Sequence, residues 1–253
     1  MGNFNTKHAA TSAIMLHPFV LFGPSHLAVI AFAIAVPLLL SVPARKYETF
    51  ARVVRWVFAA LIIGAWIAWY VLFASRGWLG ASNEWPMNLC DWAAIATIIA
   101  LVTQNRRAYE LSYFWGLCGT AEALVTPDVN FDFPDAQFIV FFLGHAAIIA
   151  SVLFLTFGVR MRPGLKSIPR VALWSLVYLA AAAFVDWKLG TNYGFLRGKP
   201  HQATLLAVLS PWPWYIAELV PIGILSALVC YAPFFVADNF REMVLKRDAP
   251  IPK

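Results

Sequence analysis

Apolar residues run along this chain in blocks long enough to cross a hydrocarbon core, parted by short stretches of charge and proline. A core of about 30 Å needs roughly 20 apolar residues in a helix. Blocks of that kind lie at 20–42, 53–75, 86–103, 109–126, 136–158, 168–189 and 213–236. The third and fourth are short. The pattern predicts an all-α fold, a polytopic bundle of seven transmembrane helices. The longest connection, 188–212, is too short for a soluble domain, and no repeat or low-complexity segment interrupts the chain. Residues 1–253 therefore read as one transmembrane domain.

Composition agrees: 61% of residues are hydrophobic and 13% charged, with a mean hydropathy of +0.69, too apolar for a water-soluble surface. The basic residues set the orientation, because short cytoplasmic connections retain positive charge. One set of connections carries Arg45, Lys46, Arg52, Arg55, Arg106, Arg107, Arg160, Arg162, Lys166 and Arg170, and the tail adds Arg241, Lys246, Arg247 and Lys253. The alternate set carries only Lys7, Arg76, Lys188, Arg197 and Lys199. Seven spans with an outside N-terminus and a cytoplasmic C-terminus fit that asymmetry, in a multi-pass protein of the cell (cytoplasmic) membrane. The net charge of +6 is then topology and anionic-lipid contact, and gives no reason to expect nucleic acid. No basic n-region precedes residues 20–42 and no small-residue cleavage site follows closely, so this block reads as a retained span.

Trp78, Trp85, Trp187, Trp212 and Trp214 on the outer side and Trp56 on the inner mark the headgroup levels. Pro24 and Pro37 in the first span and Pro221 and Pro233 in the seventh are expected to bend their helices. Cys90, Cys118 and Cys230 lie in different spans, which argues against a disulfide framework.

The strongly polar side chains within the apolar blocks share one depth. At about 1.5 Å of rise per residue, Cys90 lies roughly 6 Å and His145 roughly 13 Å below the outer ends of their spans. The same arithmetic places His26 roughly 9 Å, Glu122 roughly 6 Å, Asp186 roughly 5 Å and Glu218 roughly 8 Å deep. The inner halves of the spans carry hydroxyls and amides at most. Charged groups in hydrocarbon cost at least about 2.5–3.5 kcal/mol and normally face a bundle interior or a wet cavity. Six at one level suggest one chamber open to the outside; interfacial residues in contact with water, or paired with Lys188, are the plainer reading of the shallow ones.

Cys90 follows Pro86-Met87-Asn88-Leu89 and precedes Asp91. With Pro86 at the first helical position and Ser82 or Asn83 as cap, Cys90 falls in the second turn. A helix N-terminus favours a thiolate, but the effect fades after one turn and Asp91 opposes a second negative charge. A positioned base is needed. His145 is the candidate: imidazole ordinarily titrates near about pH 6.5, and Gly144 leaves room for close approach. Asp186 or Glu122 would orient it. The plainer alternatives are a buried hydrophobic thiol and a core histidine bonded to a helix carbonyl.

Two outer loops carry polar groups. In 126–135, Asp128, Asn130 and Asp132 have the alternating spacing of a calcium loop but lack its glycine and terminal glutamate. In 192–200, Asn192 and Tyr193 stand beside Arg197 and Lys199, suited to a phosphate headgroup or an oxyanion, or simply to water.

Several of these segments together resemble a known family: Phe22-Gly23-Pro24-Ser25-His26, Pro86 to Asp91, Thr126-Pro127-Asp128, Phe141 to His145, Asn192-Tyr193 with Lys199-Pro200, and Pro211 to Tyr215. They resemble the YwaF-like bacterial integral-membrane family, itself similar, more distantly, to the vertebrate transmembrane protein 164 family, thought to be a cysteine-dependent phospholipid acyltransferase. The resemblance implies that Cys90 is the acyl-accepting nucleophile and His145 its base. Asp91 has no match in the eukaryotic motif.

The expected activity is acyl transfer or acyl hydrolysis on a phospholipid or lysophospholipid through an acyl-thioester, with no cofactor and no metal. Asp186, Glu122, Asn192 and Tyr193 are candidates for orienting the base or holding the oxyanion. His26, Asn88, Asp91, Asp128, Arg197, Lys199 and Glu218 are candidates for contacting substrate. A transporter or small-ligand receptor could use the same polar cavity. A metal hydrolase ranks lowest, since no span carries two histidines at ligand spacing.

Overall fold

A computed structural model describes residues 18–80, 85–200 and 204–247. Helices dominate it: α1 (Pro24–Ala44), α2 (Glu48–Ser75), α3 (Leu89–Thr103), α4 (Arg106–Trp115), a π-helical turn (Gly116–Thr120), α5 (Ala121–Val125), α6 (Ala136–Phe157), α7 (Ser167–Leu189) and α8 (Trp214–Arg247). Among the described residues the only strand-like pairing is the bridge from Pro18 to Phe131. Five helices are long and apolar enough to cross a membrane: α1, α2, α6, α7 and the Trp214–Phe240 stretch of α8. The other two expected spans are shorter. α3 has 15 residues, and α4, the π turn and α5 follow one another without a gap over 106–125, about 30 Å of rod at about 1.5 Å per residue.

α6 is the centre. More than half of its apolar window (56%) is buried, against 28% or less for the other four, and it packs on α1, α2, α3 and the π turn. Small residues make this possible, as membrane helices without a hydrophobic drive between them pack by close backbone approach: a methyl placed on Gly144 would lie 3.5 Å from the Ala65 Cβ of α2. The π turn is a second close approach. A methyl on Gly119 would lie 2.7 Å from the Leu89 side chain and one on Gly116 3.1 Å from that of Val152, so a side chain at either position would have to push its neighbour aside. The apolar window of α8 has no buried residue. Trp56, Trp78, Trp85, Trp187, Trp212 and Trp214 are all exposed, as headgroup-level rings should be.

Three expectations are corrected. α3 begins at Leu89 rather than 86, with Asn88 as N-cap; the caps expected at Ser82 and Asn83 lie outside the described residues. Pro24 occupies the first turn of α1 and starts that helix instead of bending it. Finally, the end of the bundle that carries the cations holds a buried acid: Glu110 of α4 is 2% exposed. Arg170 of α7 clamps it with three contacts of 3.0, 2.8 and 2.8 Å, and Arg106 approaches to 3.4 Å. Nearby, Arg55 donates to the Leu101 carbonyl at 2.7 Å and satisfies an orphan acceptor at the end of α3.

Candidate functional site

The start of α3 places Cys90 in the first turn, not the second, at the second helical residue. First-turn amides have no partner within the helix and their dipoles favour negative charge. Asp91 follows, and its carboxylate does not stand free beside the thiol. It accepts from the Asn88 amide at 2.9 Å and from Trp66 Nε1 of α2 at 3.2 Å. The acid therefore caps α3 and ties it to α2. Cys90 is partly buried and its thiol is free.

His145 sits on α6, its ring stacked on Phe141 with centroids 4.1 Å apart. Nδ1 lies 2.8 Å from the Phe141 carbonyl. A carbonyl can only accept, so Nδ1 carries the proton and Nε2 is left with a lone pair. Among the described residues no other group hydrogen-bonds the ring, and none joins it to Cys90. What relates the two is α2. Gly144, beside His145, packs on Ala65, while the neighbouring Trp66 bonds Asp91, beside Cys90. The chain neighbours of the thiol and of the imidazole thus contact adjacent residues of α2.

Around Cys90 gather some of the other predicted residues. Asp186 of α7, 1% exposed, accepts from Thr191 Oγ1 and from the Tyr193 amide, both at 2.7 Å, through Oδ1. Its Oδ2 is buried with no partner. Tyr193 is buried, and its hydroxyl accepts from the Trp85 amide at 3.0 Å, tying the 192–200 loop to the approach to α3. Asn88 Oδ1 accepts from the Gly194 amide at 3.5 Å. Asn192 folds the loop on itself: Oδ1 accepts from the Arg197 and Gly198 amides at 2.7 and 3.0 Å, and Nδ2 donates to the Gly198 carbonyl at 2.9 Å. Arg197 reaches the Asp186 carbonyl at 3.2 Å. Lys199 donates to the Leu209 carbonyl at 2.6 Å.

The remaining candidates lie apart from that cluster. His26 is fully buried, with Nδ1 accepting from the Phe22 amide at 3.0 Å and Nε2 donating to the Leu124 carbonyl at 2.8 Å. It joins α1 to α5, and both nitrogens are occupied. Glu122 accepts from Thr126 at 2.5 Å. Asp128 is exposed. Glu218 accepts from the Ser210 hydroxyl and, at 3.0 Å, its amide, holding the segment before α8. In the acidic loop Asp132 takes up the Ser25 hydroxyl and Asp135 the Arg76 guanidinium at 2.9 Å. Among the described residues no group of three His, Cys, Asp or Glu is arranged to hold a metal.

Sequence reasoning missed Tyr178. Its ring meets Trp92 edge-on at 5.5 Å, and it packs with Met87 and Leu89 just ahead of Cys90. The hydroxyl is buried near the Leu89 amide, donates no hydrogen bond among the described residues, and lies over Gly194, where a methyl would come within 2.5 Å of it. Cys90, Asp91 and Asp186 are all within its electrostatic reach. A tyrosine in an apolar run carries no signal of this. Trp66 was equally silent.

The comparisons with known proteins bear on this arrangement. The model of the TMEM164 family matches residues 21–231. The chain belongs to the TMEM164 family. That match takes in Cys90, His145, Tyr178 and Asp186 and bears out the resemblance to transmembrane protein 164. An uncharacterized protein of Treponema pallidum (strain Nichols) is 29% identical over 173 residues, 68% of this chain and 70% of that protein. No solved structure matches. Membership in the TMEM164 family and five membrane-length apolar helices make this a membrane protein.

Proposed function

We propose that this TMEM164-family protein is a lipid acyltransferase or acyl hydrolase that works through a thioester on Cys90, with His145 as general base. One observation carries the reading: a first-turn cysteine and a histidine whose Nε2 has no hydrogen-bond partner among the described residues each adjoin a residue that contacts the same turn of α2. In the proposed cycle Nε2 takes the Cys90 proton, through a bridging water or after a small approach of the two helices, since catalytic contacts often tighten only with substrate bound. The thiolate attacks an ester carbonyl of a phospholipid. The tetrahedral oxyanion is met by first-turn amides of α3 and by the Tyr178 hydroxyl, a donor with no other partner. Collapse breaks the carbon–oxygen bond, the imidazolium protonates the departing lysolipid alkoxide, and an acyl thioester remains. A lysophospholipid hydroxyl, or water, then loses its proton to Nε2 and attacks the thioester. The carbon–sulfur bond breaks, and the thiolate recovers the proton.

Phospholipid is the proposed partner, reaching the site from the outer leaflet. The supporting topology is seven passes over one domain, α3 and the α4–π–α5 rod serving as the two short crossings, with the N-terminus outside and the C-terminus in the cytosol. Basic residues at alternate connections support that orientation and a cytoplasmic-membrane location. Asp186 and Tyr193 take a positioning role, holding the 192–200 loop against the start of α3.

The test is incubation of purified protein with phospholipid labelled in its acyl chains. A hydroxylamine-sensitive acyl mass on the Cys90 peptide, lost in Cys90→Ala and at least about a hundredfold slower in His145→Ala, is the expected result. A well-folded protein that never acquires that mass refutes the thioester route and turns attention to a ligand-binding or transport role for the same residues.

A further inference from the structure

At the opposite, cation-rich end of the bundle, three stretches far apart in sequence enclose an open cleft of about 510 Å³. Arg106 at the start of α4, Arg160 and Arg162 in the connection after α6, and Tyr231 and Asp238 of α8 line it. Its charges do not cancel. Arg162 is paired with Asp238 at 2.8 Å and lies over the Phe234 ring at 5.3 Å. Arg106 shares Glu110, at 3.4 Å, with Arg170, which holds that carboxylate more closely at 2.8 Å. Arg160 is exposed and, among the described residues, makes no salt bridge. Three guanidinium groups thus face a volume to which one carboxylate contributes.

A positive end of a membrane protein follows from topology alone, but topology spreads cations along a surface. Here three segments turn them into one concavity. The backbone shows the same demand at Arg160, which has φ +63°, a left-handed conformation that glycine adopts freely and arginine does not. Hydrogen bonds from Val159 to the Phe154 carbonyl (3.1 Å) and from Met161 to the Leu155 carbonyl (2.9 Å) fix that turn. The chain carries an arginine where a glycine would be less strained.

We propose that this cleft is a binding site for a phosphate group, as a phosphodiester or phosphomonoester held by Arg106 and Arg160 with Arg162 alongside. Planar guanidinium forks match phosphate oxygens two at a time. The chemistry is common to two sources, the headgroup of an anionic phospholipid in the adjoining leaflet and a soluble phosphate ester. The site is separate from Cys90 and does not depend on the acyl-transfer reading.

The test uses the full-length protein in nanodiscs of phosphatidylcholine with graded phosphatidylglycerol, and in detergent with glycerol 3-phosphate, following thermal unfolding and lipid retained in native mass spectrometry. Phosphatidylglycerol is expected to raise the midpoint and stay bound, with apparent affinity falling about tenfold in Arg160→Gln and in Arg106→Gln. Arg160 makes no contact that holds the fold, so its variant keeps the unliganded midpoint. Arg52→Gln, an exposed arginine on α2 paired only with Glu48, is expected to change neither readout. A matching response to glycerol 3-phosphate in detergent identifies the soluble source, and a response confined to the lipid identifies the headgroup. If both probes act on Arg160→Gln and Arg106→Gln as on the unaltered protein, or on Arg52→Gln as strongly as on those two, the site does not exist. The same holds if neither probe acts at all.

Discussion

Replacing Asp91 tests whether the clamp beneath Cys90 is real. In Asp91→Ala the Asn88 amide loses the acceptor that completes the cap of α3, a loss of about 1 kcal/mol for a helix cap. Trp66 Nε1 loses a carboxylate partner at 3.2 Å, and a hydrogen bond to a charged group contributes about 1.5–3 kcal/mol. The sum is about 2.5–4 kcal/mol. Trp66→Phe removes only the second bond and is expected to cost about 1.5–3 kcal/mol. Because both substitutions break the same bond, the double variant should be little worse than Asp91→Ala, a coupling of about 1.5–3 kcal/mol. Intrinsic tryptophan fluorescence in detergent follows the unfolding, since ten of the 11 tryptophans remain in Trp66→Phe. At about 2–4 °C per kcal/mol for a chain of this size, Asp91→Ala should melt about 5–15 °C lower. Additive losses from the two single substitutions would show that α2 and α3 are not joined through this pair. The account of how α2 relates the segments that carry Cys90 and His145 would fall with it.

Three further outcomes follow from the structure. Arg170→Met leaves the buried Glu110 with the longer contact to Arg106 alone and should cost about 2–4 kcal/mol, whereas adding Glu110→Gln should restore much of it; a denaturant or thermal series on the single and double variants measures this, and equal losses in both would deny the ion pair its role. His26→Phe keeps the ring volume but strands the Phe22 amide and the Leu124 carbonyl, so a fall of about 2–3 kcal/mol in stability with the thioester rate unchanged in the surviving folded protein is expected; a stable variant that has lost substrate affinity would move His26 into the site. Tyr178→Phe removes a buried hydroxyl that donates no hydrogen bond among the described residues, so stability should change by no more than about 1 kcal/mol while adduct formation slows by about tenfold or more; an unchanged rate would remove Tyr178 from the reaction.

Much of the fold could be read from hydropathy alone. The blocks at 136–158 and 168–189 agree with α6 and α7 to within a residue at each end. The start of α3 could not be found that way, because Trp85, Pro86 and Met87 are as apolar as the helix they precede. Asn88 and Asp91 decide it by a local hydrogen bond, and three residues of offset move Cys90 from the second turn into the first. The buried acid Glu110 was hidden for a different reason. Its partner Arg170 lies 60 residues away, and among the cations of that end nothing in the sequence singles out the one that turns inward. Tyr178 and Trp66 were invisible because an aromatic residue in an apolar run reads as lipid-facing or core until a polar neighbour is seen.

The shared depth of His26, Cys90, Glu122, His145, Asp186 and Glu218 shows most directly where sequence reasoning stops. Depth along a helix follows from counting residues, but a chamber also requires that the side chains face one another around the bundle, and that angle is set by packing partners. Gly144 against Ala65 fixes the angle of α6, and Asp91 against Trp66 fixes that of α3. Both constraints act through α2, and the residues next to each contact are His145 and Cys90. His26 lies on the far side of α6, where its ring meets Phe142 at 5.3 Å and its nitrogens meet α5 and its own helix. A polar group at the right level is therefore drawn into the site only if its helix is held at the right rotation, and the contacts that hold α3 and α6 both fall on α2.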